Sequence, residues 1–266
     1  MVAADLALHD GFDGAICIAA AAVMAGAEQD HRDALAITVH DLKTPLAALK
    51  GSAQLALRRS TADPTAPVTE VEDFLQRIVD SSNPLRDIVD EALAAEQAAD
   101  GEQLRLSPVA IEQFLLDIVS SLGAEARSRV RVIVEDETAQ ASWDVQRLRR
   151  ALENILSNAL KYAPEGFIDV SVKAADNGSV AISIKDRGIG LSAEDKRKLF
   201  ARYYRSPEAI RMKIEGTGLG LYVAKATIEA HGGTLHVESP GPGKGTTFHL
   251  LIPLTGAATA RAGKVG

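Results

Sequence analysis

Residues 144–162 read D-V-Q-R-L-R-R-A-L-E-N-I-L-S-N-A-L-K-Y, which predicts one long helix. Two strands follow it, at residues 168–173 and 180–185, and the second runs directly into D-R-G-I-G at residues 186–190. The pattern then predicts helices at 192–204 and 219–230 and strands at 234–238 and 246–252. Because helices and strands mix without strict βαβ alternation, we expect an α+β sandwich, with helices on one face of a mixed sheet.

The same mixture of predicted helices and strands extends upstream to about residue 100. It predicts a short strand at 104–106, a helix at 108–127 and a strand at 130–134. We therefore assign residues 100–254 to one α/β domain. Residues 255–266 are small and polar, which is typical of a flexible tail.

Residues 31–99 predict a helical hairpin. Leucines and other apolar residues recur in steps of three and four from Leu35 to Ala53, and again from Val71 to Ala95. The breaker-rich segment 60–67 separates the two seams, and Pro84 predicts a kink without ending the second helix. Two narrow apolar stripes are best covered by a second copy of the chain, which gives a dimeric four-helix bundle. The alternative is that the hairpin packs on the rest of its own chain.

Composition excludes several classes of protein. The 266 residues are 46% hydrophobic and 24% charged, which excludes a wholly disordered chain. A net charge of −7 argues against non-specific binding to nucleic acid, and the single cysteine excludes a disulfide framework. The most apolar run, residues 14–27, is too short for a membrane span, so we expect a cytoplasmic chain. Residues 1–30 then form either a short regulatory helix or the stump of an upstream sensor.

Three glycine-rich segments lie in the C-terminal half of the chain. G-P-G-K-G at residues 241–245 lacks the Ser or Thr of a P-loop and leads into a strand. G-T-G-L-G-L at residues 216–221 opens a helix but lacks the spacing of a dinucleotide fingerprint. D-R-G-I-G at residues 186–190 places a carboxylate at a strand end before a sharp turn, which alone is a generic feature.

The polar residues around these glycines suit a nucleotide. Asn154 and Asn158 lie four apart on one helix face, and Lys161 and Tyr162 follow. Together with Asp186 and a free helix N-terminus near residue 219, they offer an acceptor for an amine, carboxamide oxygens for a hard cation, and donors for phosphate. Either asparagine taken alone is more simply a capping or surface residue.

Six ordered motifs resemble those of the sensor histidine kinases of two-component systems. N-I-L-S-N-A-L-K-Y, D-R-G-I-G, L-F-A-R-Y-Y-R, G-T-G-L-G-L and G-T-T-F resemble the boxes of the ATP-binding domain, and H-D-L-K-T-P-L at residues 40–46 resembles the phosphoacceptor box. The resemblance covers residues 30–254. It implies that Mg²⁺-ATP phosphorylates His40 and that the phosphoryl group passes to an aspartate of a response regulator.

The resemblance also implies roles for individual residues. Asn158 would hold magnesium, Asn154 would lie near the phosphates, Lys161 would contact phosphate and Tyr162 would flank the nucleotide. Asp186 would accept a hydrogen bond from the adenine amine, Gly188 and Gly190 would let the base approach, and Thr246 would close the adenine side. Gly216, Thr217, Gly218, Leu219 and Gly220 would border the phosphates. Residues 187–215 would form an ATP lid anchored by Phe200, Tyr203 and Arg205, of which Arg205 would also contact the nucleotide.

The heptad places the phosphoacceptor segment on the outside of the bundle. With Leu42 at d, His40 falls at b, Asp41 at c and Thr44 at f, so His40 is available as a nucleophile. Asp41 can accept the ring proton, and the family more often has Glu there. Thr44 would orient water for removal of phosphate from the regulator. The alternatives are a merely solvated face and, for Thr44, an ordinary surface residue.

Two other functions are alternatives to a histidine kinase. One is a phosphotransfer or scaffold protein with a degenerate ATP site, which the intact Asn158, Asp186 and glycines oppose. The other is a water-using ATPase of the same fold superfamily. Such ATPases carry a Glu where this chain has Asn154, and an amide cannot act as a base.

Overall fold

A computed structural model describes residues 46–56, 58, 68–99, 103–135, 140–176, 178–214 and 216–255. The predicted N-terminal segment 1–30, the turn at 60–67, most of the tail, and the candidate residues His40, Asp41 and Thr44 lie outside these ranges. The chain divides into two compact units. The boundary falls between Asp90 and Glu91, and residues 215–217 belong to the first unit.

The first unit is helical in the described ranges 46–56 and 68–90. Residues 46–56 are helical, and a 32-residue helix, α1, spans Val68–Ala99 and continues into the second unit. The helix runs through residue 84, which confirms that Pro84 does not end it. Ile78, Leu85 and Ile88 are half-buried on this helix, whereas Leu75 and Val79 are more than half exposed. None of the helices in the described ranges is long and apolar enough to cross a membrane.

The second unit holds the sheet and the helices that cover it. Its elements are β1 (Ser107–Ala110), α2 (Ile111–Ser121), α3 (Ala124–Ser128), β2 (Val130–Val134), β3 (Gln140–Trp143), α4 (Val145–Tyr162), β4 (Ile168–Ala175), β5 (Ser179–Lys185), α5 (Ala193–Lys198), α6 (Pro207–Arg211), α7 (Gly220–Ala230), β6 (Thr234–Glu238) and β7 (Thr247–Pro253).

Five strands form a mixed sheet in the order β2-β4-β5-β7-β6, in which only β2 and β4 run parallel. Along β4 and β5 alternate residues are buried, and the opposite face carries pairs such as Ser171 and Ser183. The buried face packs with α4 and α7 into one core. The expected α+β fold, a mixed sheet covered on one face by helices, is therefore confirmed.

Several predicted element boundaries are wrong. Residues 104–106 form no strand, and the strand lies at Ser107–Ala110 instead, where Pro108 sits in a two-stranded sheet with β3. The predicted helix 108–127 begins only at Ile111 and breaks at extended Leu122. The predicted helix 192–204 ends at Lys198, and the backbone reaches a left-handed φ of 63° at Tyr203. Strand β3 and helix α6 were not predicted.

Candidate nucleotide-binding site

Asp186 lies at the carboxyl end of β5, in the centre of the sheet. It is only 4% exposed. Its Oδ1 accepts hydrogen bonds from the backbone N–H groups of Gly188 at 2.8 Å and Thr246 at 3.1 Å. Its own N–H donates to the Thr246 carbonyl at 2.9 Å. Oδ2 accepts no hydrogen bond from any residue in the described ranges. One carboxylate oxygen is thus fixed by the protein, and the other is available to a ligand.

Burial raises the pKa of Asp186, and the two backbone hydrogen bonds from Gly188 and Thr246 lower it in part. Ionisation of this carboxyl group therefore has a free-energy cost in the nucleotide-free protein. A ligand that donates a hydrogen bond to Oδ2 offsets part of that cost. An exocyclic amine is a donor of this kind.

The turn after Asp186 requires glycine because backbone meets backbone there. A Cβ on Gly188 would lie 2.2 Å from the Tyr162 carbonyl oxygen. A Cβ on Gly190, which has φ of 63°, would lie 2.2 Å from the Gly241 carbonyl oxygen. The contacts show a close approach of the loop to its neighbouring backbone, in addition to the approach of a base that the resemblance implies.

Ser239 joins the loop after β6 to the glycine turn. It is buried, and its hydroxyl accepts the N–H of Leu191 at 3.0 Å and donates to the Gly245 carbonyl at 2.7 Å. Two backbone bonds run beside it, from Gly243 N–H to the Ile189 carbonyl and from Gly245 N–H to the Gly188 carbonyl. Hydrogen bonds therefore join the two loops next to Asp186.

Helix α4 presents the candidate metal and phosphate ligands. Asp144 caps its N-terminus by accepting the N–H of Arg147. Asn154 donates from Nδ2 to the Gly220 carbonyl at 3.2 Å, which ties α4 to the start of α7. The Asn158 carboxamide is half-buried and makes no hydrogen bond within the described ranges. Its oxygen is a hard donor that remains available.

The first turn of α7 provides donors for an anion. Its N-cap, Leu219, supplies no side-chain cap to the first N–H groups of the helix. Gly220 opens this helix, and Lys161 at the end of α4 is exposed. The positive end of the helix dipole and the N–H groups of the first turn favour phosphate at this position.

Tyr162 and Arg205 lie close to each other. Burial raises the pKa of Tyr162, and the guanidinium of Arg205 lowers it in part. Arg205 also donates to the Ile214 carbonyl, across the segment predicted to be a lid. Tyr162 at the end of α4 and Arg205 in the predicted lid segment are therefore neighbours.

The segment 187–214 is tied at several points. Ser192 and Asp195 form a capping box at the start of α5, and the Tyr204 hydroxyl donates to Asp195 at 2.7 Å. Lys225 of α7 lies 5.3 Å from the centre of the Phe200 ring. Gly218 packs so closely on the backbone that a Cβ there would lie 2.6 Å from the Tyr203 carbonyl carbon. Phe200 therefore lies near α7, Tyr203 packs against Gly218, and Arg205 binds within the segment itself. Their role as anchors of a lid stays a prediction.

The structure joins some of the predicted residues directly. Asp186, Gly188 and Thr246 are hydrogen-bonded, and Asn154 meets Gly220. Gly216 and Thr217 belong to the other compact unit. Among the described residues, no group of three His, Cys, Asp or Glu side chains could hold a metal ion.

Two polar residues were not predicted. One is Ser239, for which a serine before P-G-P-G was the available signal. The other is His231, which is fully buried at the end of α7. Its Nδ1 lies 2.7 Å from the Thr227 carbonyl, and its Nε2 accepts the Asp144 N–H at 3.0 Å. An acceptor at Nε2 requires the neutral ring, and burial lowers the pKa of His231 accordingly.

Two protein-family models match the chain. The model described as "Histidine kinase-, DNA gyrase B-, and HSP90-like ATPase" matches residues 143–256. The model described as "His Kinase A (phospho-acceptor) domain" matches residues 30–101. The first match contains the candidate nucleotide site, and the second contains the predicted hairpin.

Curated relatives are similar over most of this chain. "Sensor-like histidine kinase SenX3" of Mycolicibacterium smegmatis is 33% identical over 230 residues, which cover 85% of this chain and 58% of the relative. "Sensor histidine kinase WalK" of Bacillus subtilis is 31% identical over 232 residues, which cover 85% of this chain and 37% of the relative. The chain therefore spans about half the length of the curated relatives it matches.

Solved structures show the same fold. Full-length ShkA in complex with AMPPNP superposes with a TM-score of 0.62 at 23% identity, over 79% of this chain and 46% of that one. The histidine kinase AdeS of Acinetobacter baumannii superposes with a TM-score of 0.60 at 19% identity, over 81% of this chain and 98% of that one.

Proposed function

The chain belongs to the sensor histidine kinases of two-component signalling, and on that premise we propose that it transfers the γ-phosphoryl group of ATP to its own His40 and from there to an aspartate of a response regulator. The observation that carries the proposal is the half-satisfied carboxylate of Asp186. Its free Oδ2 accepts from the adenine amine, while Oδ1 is held by two backbone N–H groups.

The phosphates extend from the base towards α7. The N–H groups at its first turn bind phosphate oxygens, and Gly216, Thr217 and Gly218 precede that turn in the sequence. Lys161 adds a positive charge from the end of α4. Support for this orientation comes from the hydrogen bond between Asn154 and the Gly220 carbonyl, which fixes the start of α7 against α4.

Asn158 holds Mg²⁺ together with the phosphate oxygens. The available carboxamide oxygen suits a hard cation that shares its ligands with a triphosphate. Bound magnesium neutralises charge that develops on the transferring phosphoryl group. Asn154 has no basic group and donates to backbone, which favours transfer to protein over activation of water.

His40 is the nucleophile in the first transfer. The neutral imidazole attacks the γ-phosphorus, a nitrogen–phosphorus bond forms, and the bond to the bridging oxygen breaks to release ADP. Asp41 accepts the proton that the ring loses. In the second step the phosphoryl group moves from His40 to a carboxylate oxygen of the receiver aspartate.

The hairpin supplies the dimer interface. Apolar side chains on α1 that are half-buried, such as Ile78 and Leu85, lie near others that are largely exposed, such as Leu75 and Val79. A second copy that covers these side chains through residues 31–99 completes a four-helix bundle. Thr44, one turn after His40, then orients the water that removes phosphate from the regulator.

The test is labelling with γ-³²P-ATP in the presence and absence of Mg²⁺. His40→Gln abolishes label that is acid-labile and base-stable, whereas His31→Gln, a matched histidine in the same hairpin, keeps it. Both variants retain ATP binding. Persistent acid-labile label in His40→Gln would refute the assignment of the phosphoacceptor.

A further inference from the structure

The peptide unit between Gly245 and Thr246 is held on both sides. Its carbonyl oxygen accepts a hydrogen bond from the Ser239 hydroxyl at 2.7 Å, and its N–H donates to Asp186 Oδ1 at 3.1 Å. In a trans peptide the C=O and N–H groups point in opposite directions within one plane. A bond at the carbonyl therefore sets the direction in which the N–H points.

From this geometry we propose that Ser239 is a positioning residue for base recognition. Its hydroxyl fixes the peptide plane that pins Oδ1 of Asp186, and so leaves Oδ2 aimed at the adenine amine. Ser239 acts through the carboxylate and has no contact with the nucleotide. The inference rests on the proposed function, because it assumes that Asp186 receives the amine.

The surroundings of Ser239 make this peptide sensitive to the hydroxyl. Gly245 has φ of 74°, and a Cβ there would lie 2.3 Å from the Asp186 carbonyl oxygen, so the segment tolerates no bulk. Ser239 Oγ also accepts the N–H groups of Leu191 at 3.0 Å and of Gly241 at 3.3 Å. Of the two carbonyl oxygens within reach of its proton, that of Gly245 at 2.7 Å is nearer than that of Gly241 at 3.3 Å. Loss of the hydroxyl removes the hydrogen bond at the carbonyl end of this peptide, which loosens its N–H end and leaves Oδ1 of Asp186 held mainly by the Gly188 N–H.

The test compares two nucleotides that differ in one group. Purine riboside triphosphate lacks the exocyclic amine of ATP and is otherwise the same. In the parent chain we expect ATP to bind at least tenfold more tightly, since a hydrogen bond to a carboxylate is lost with the amine. In Ser239→Ala we expect the ratio of the two Kd values to fall to within about threefold of unity.

Controls separate positioning from stability. Ser171→Ala removes a hydroxyl from the opposite face of the sheet and keeps the parental ratio. Ser239→Cys has nearly the size of serine with a weak donor, so it reports the same loss of discrimination if the alanine variant folds poorly.

Each outcome decides one question. A parent chain that binds both nucleotides equally would refute the proposed pose of adenine on Asp186, and this inference with it. A parental preference that persists in both Ser239 variants would overturn the positioning role alone. An equal loss of affinity for both nucleotides would mean that Ser239 only stabilises the fold, and would also overturn it.

Discussion

Replacing Asp186 by Asn is expected to stabilise the free protein while it weakens ATP binding. The amide oxygen of Asn can still accept the N–H groups of Gly188 and Thr246, which lie 2.8 and 3.1 Å from Oδ1. The amide nitrogen then replaces the free Oδ2. Two donors, the amide and the adenine amine, would face each other in the complex.

The loss of affinity can be sized from this contact. A hydrogen bond to a charged acceptor contributes about 1.5–3 kcal/mol, which corresponds to about a 10- to 150-fold rise in Kd. Isothermal titration with ATP measures this change. Purine riboside triphosphate, which lacks the amine, provides the matched ligand and is expected to lose far less affinity.

The stability effect has the opposite sign. Burial raises the pKa of Asp186 in the folded state, so the folded state favours the protonated carboxyl. The associated stability is present below the unfolded pKa of about 4 and is lost as pH rises through the higher folded pKa. At pH 7 we expect Asp186→Asn to have a higher free energy of unfolding than the parent, and the gap to narrow as pH falls towards 4.

Urea unfolding across this pH range tests the reasoning. A variant that is less stable than the parent at pH 7, or a stability gap that does not depend on pH, would refute the account of the buried charge. Undiminished affinity for ATP would refute the account of the contact with the base.

The remaining predictions concern three other positions. Gly188→Ala forces a Cβ to 2.2 Å from backbone, so we expect loss of nucleotide binding and a lower Tm, whereas Gly123→Ala meets no atom within 4 Å and binds normally in the same assay. Burial lowers the pKa of His231, so the free energy of unfolding is expected to decrease as pH falls below about 6.5; this slope should disappear in His231→Gln but remain in His236→Gln. Asn158→Ala is expected to raise the Mg²⁺ concentration needed for half-maximal ATP binding by at least tenfold. A Mg²⁺ titration that superposes on the parental curve would contradict the role of Asn158 as a ligand.

Local pattern predicted those parts of the fold in which neighbours in the sequence decide the structure. Helix α4 and strand β5 have the expected extents to within one residue, because their periodicity is long and uninterrupted. Strand β3 has only four residues, and its pairing with β1 joins Trp143 to Ser107, so no local signal marks it. The observed start of the helix predicted at 108–127 likewise depends on this pairing, because the residues before Ile111 pair with β3.

The candidate site shows the same division. Asp186 stands out in the sequence because it ends an apolar strand before a glycine turn. Its partner Thr246 is 60 residues away, and the hydrogen bond from Leu191 to Ser239 spans 48 residues. Such contacts arise from the crossing of two loops, so the positions of the glycines were predictable while the reason for them, close contact between backbones, was not.

The central claim is that phosphate from ATP ends on one particular histidine. The chain has six histidines, and mass spectrometry of the labelled protein, digested at neutral to alkaline pH, locates the phosphoryl group among them. The account predicts phosphate on the peptide that contains His40, formed only with Mg²⁺ and ATP. Phosphate on another residue, or release of inorganic phosphate with no labelled peptide, would contradict it.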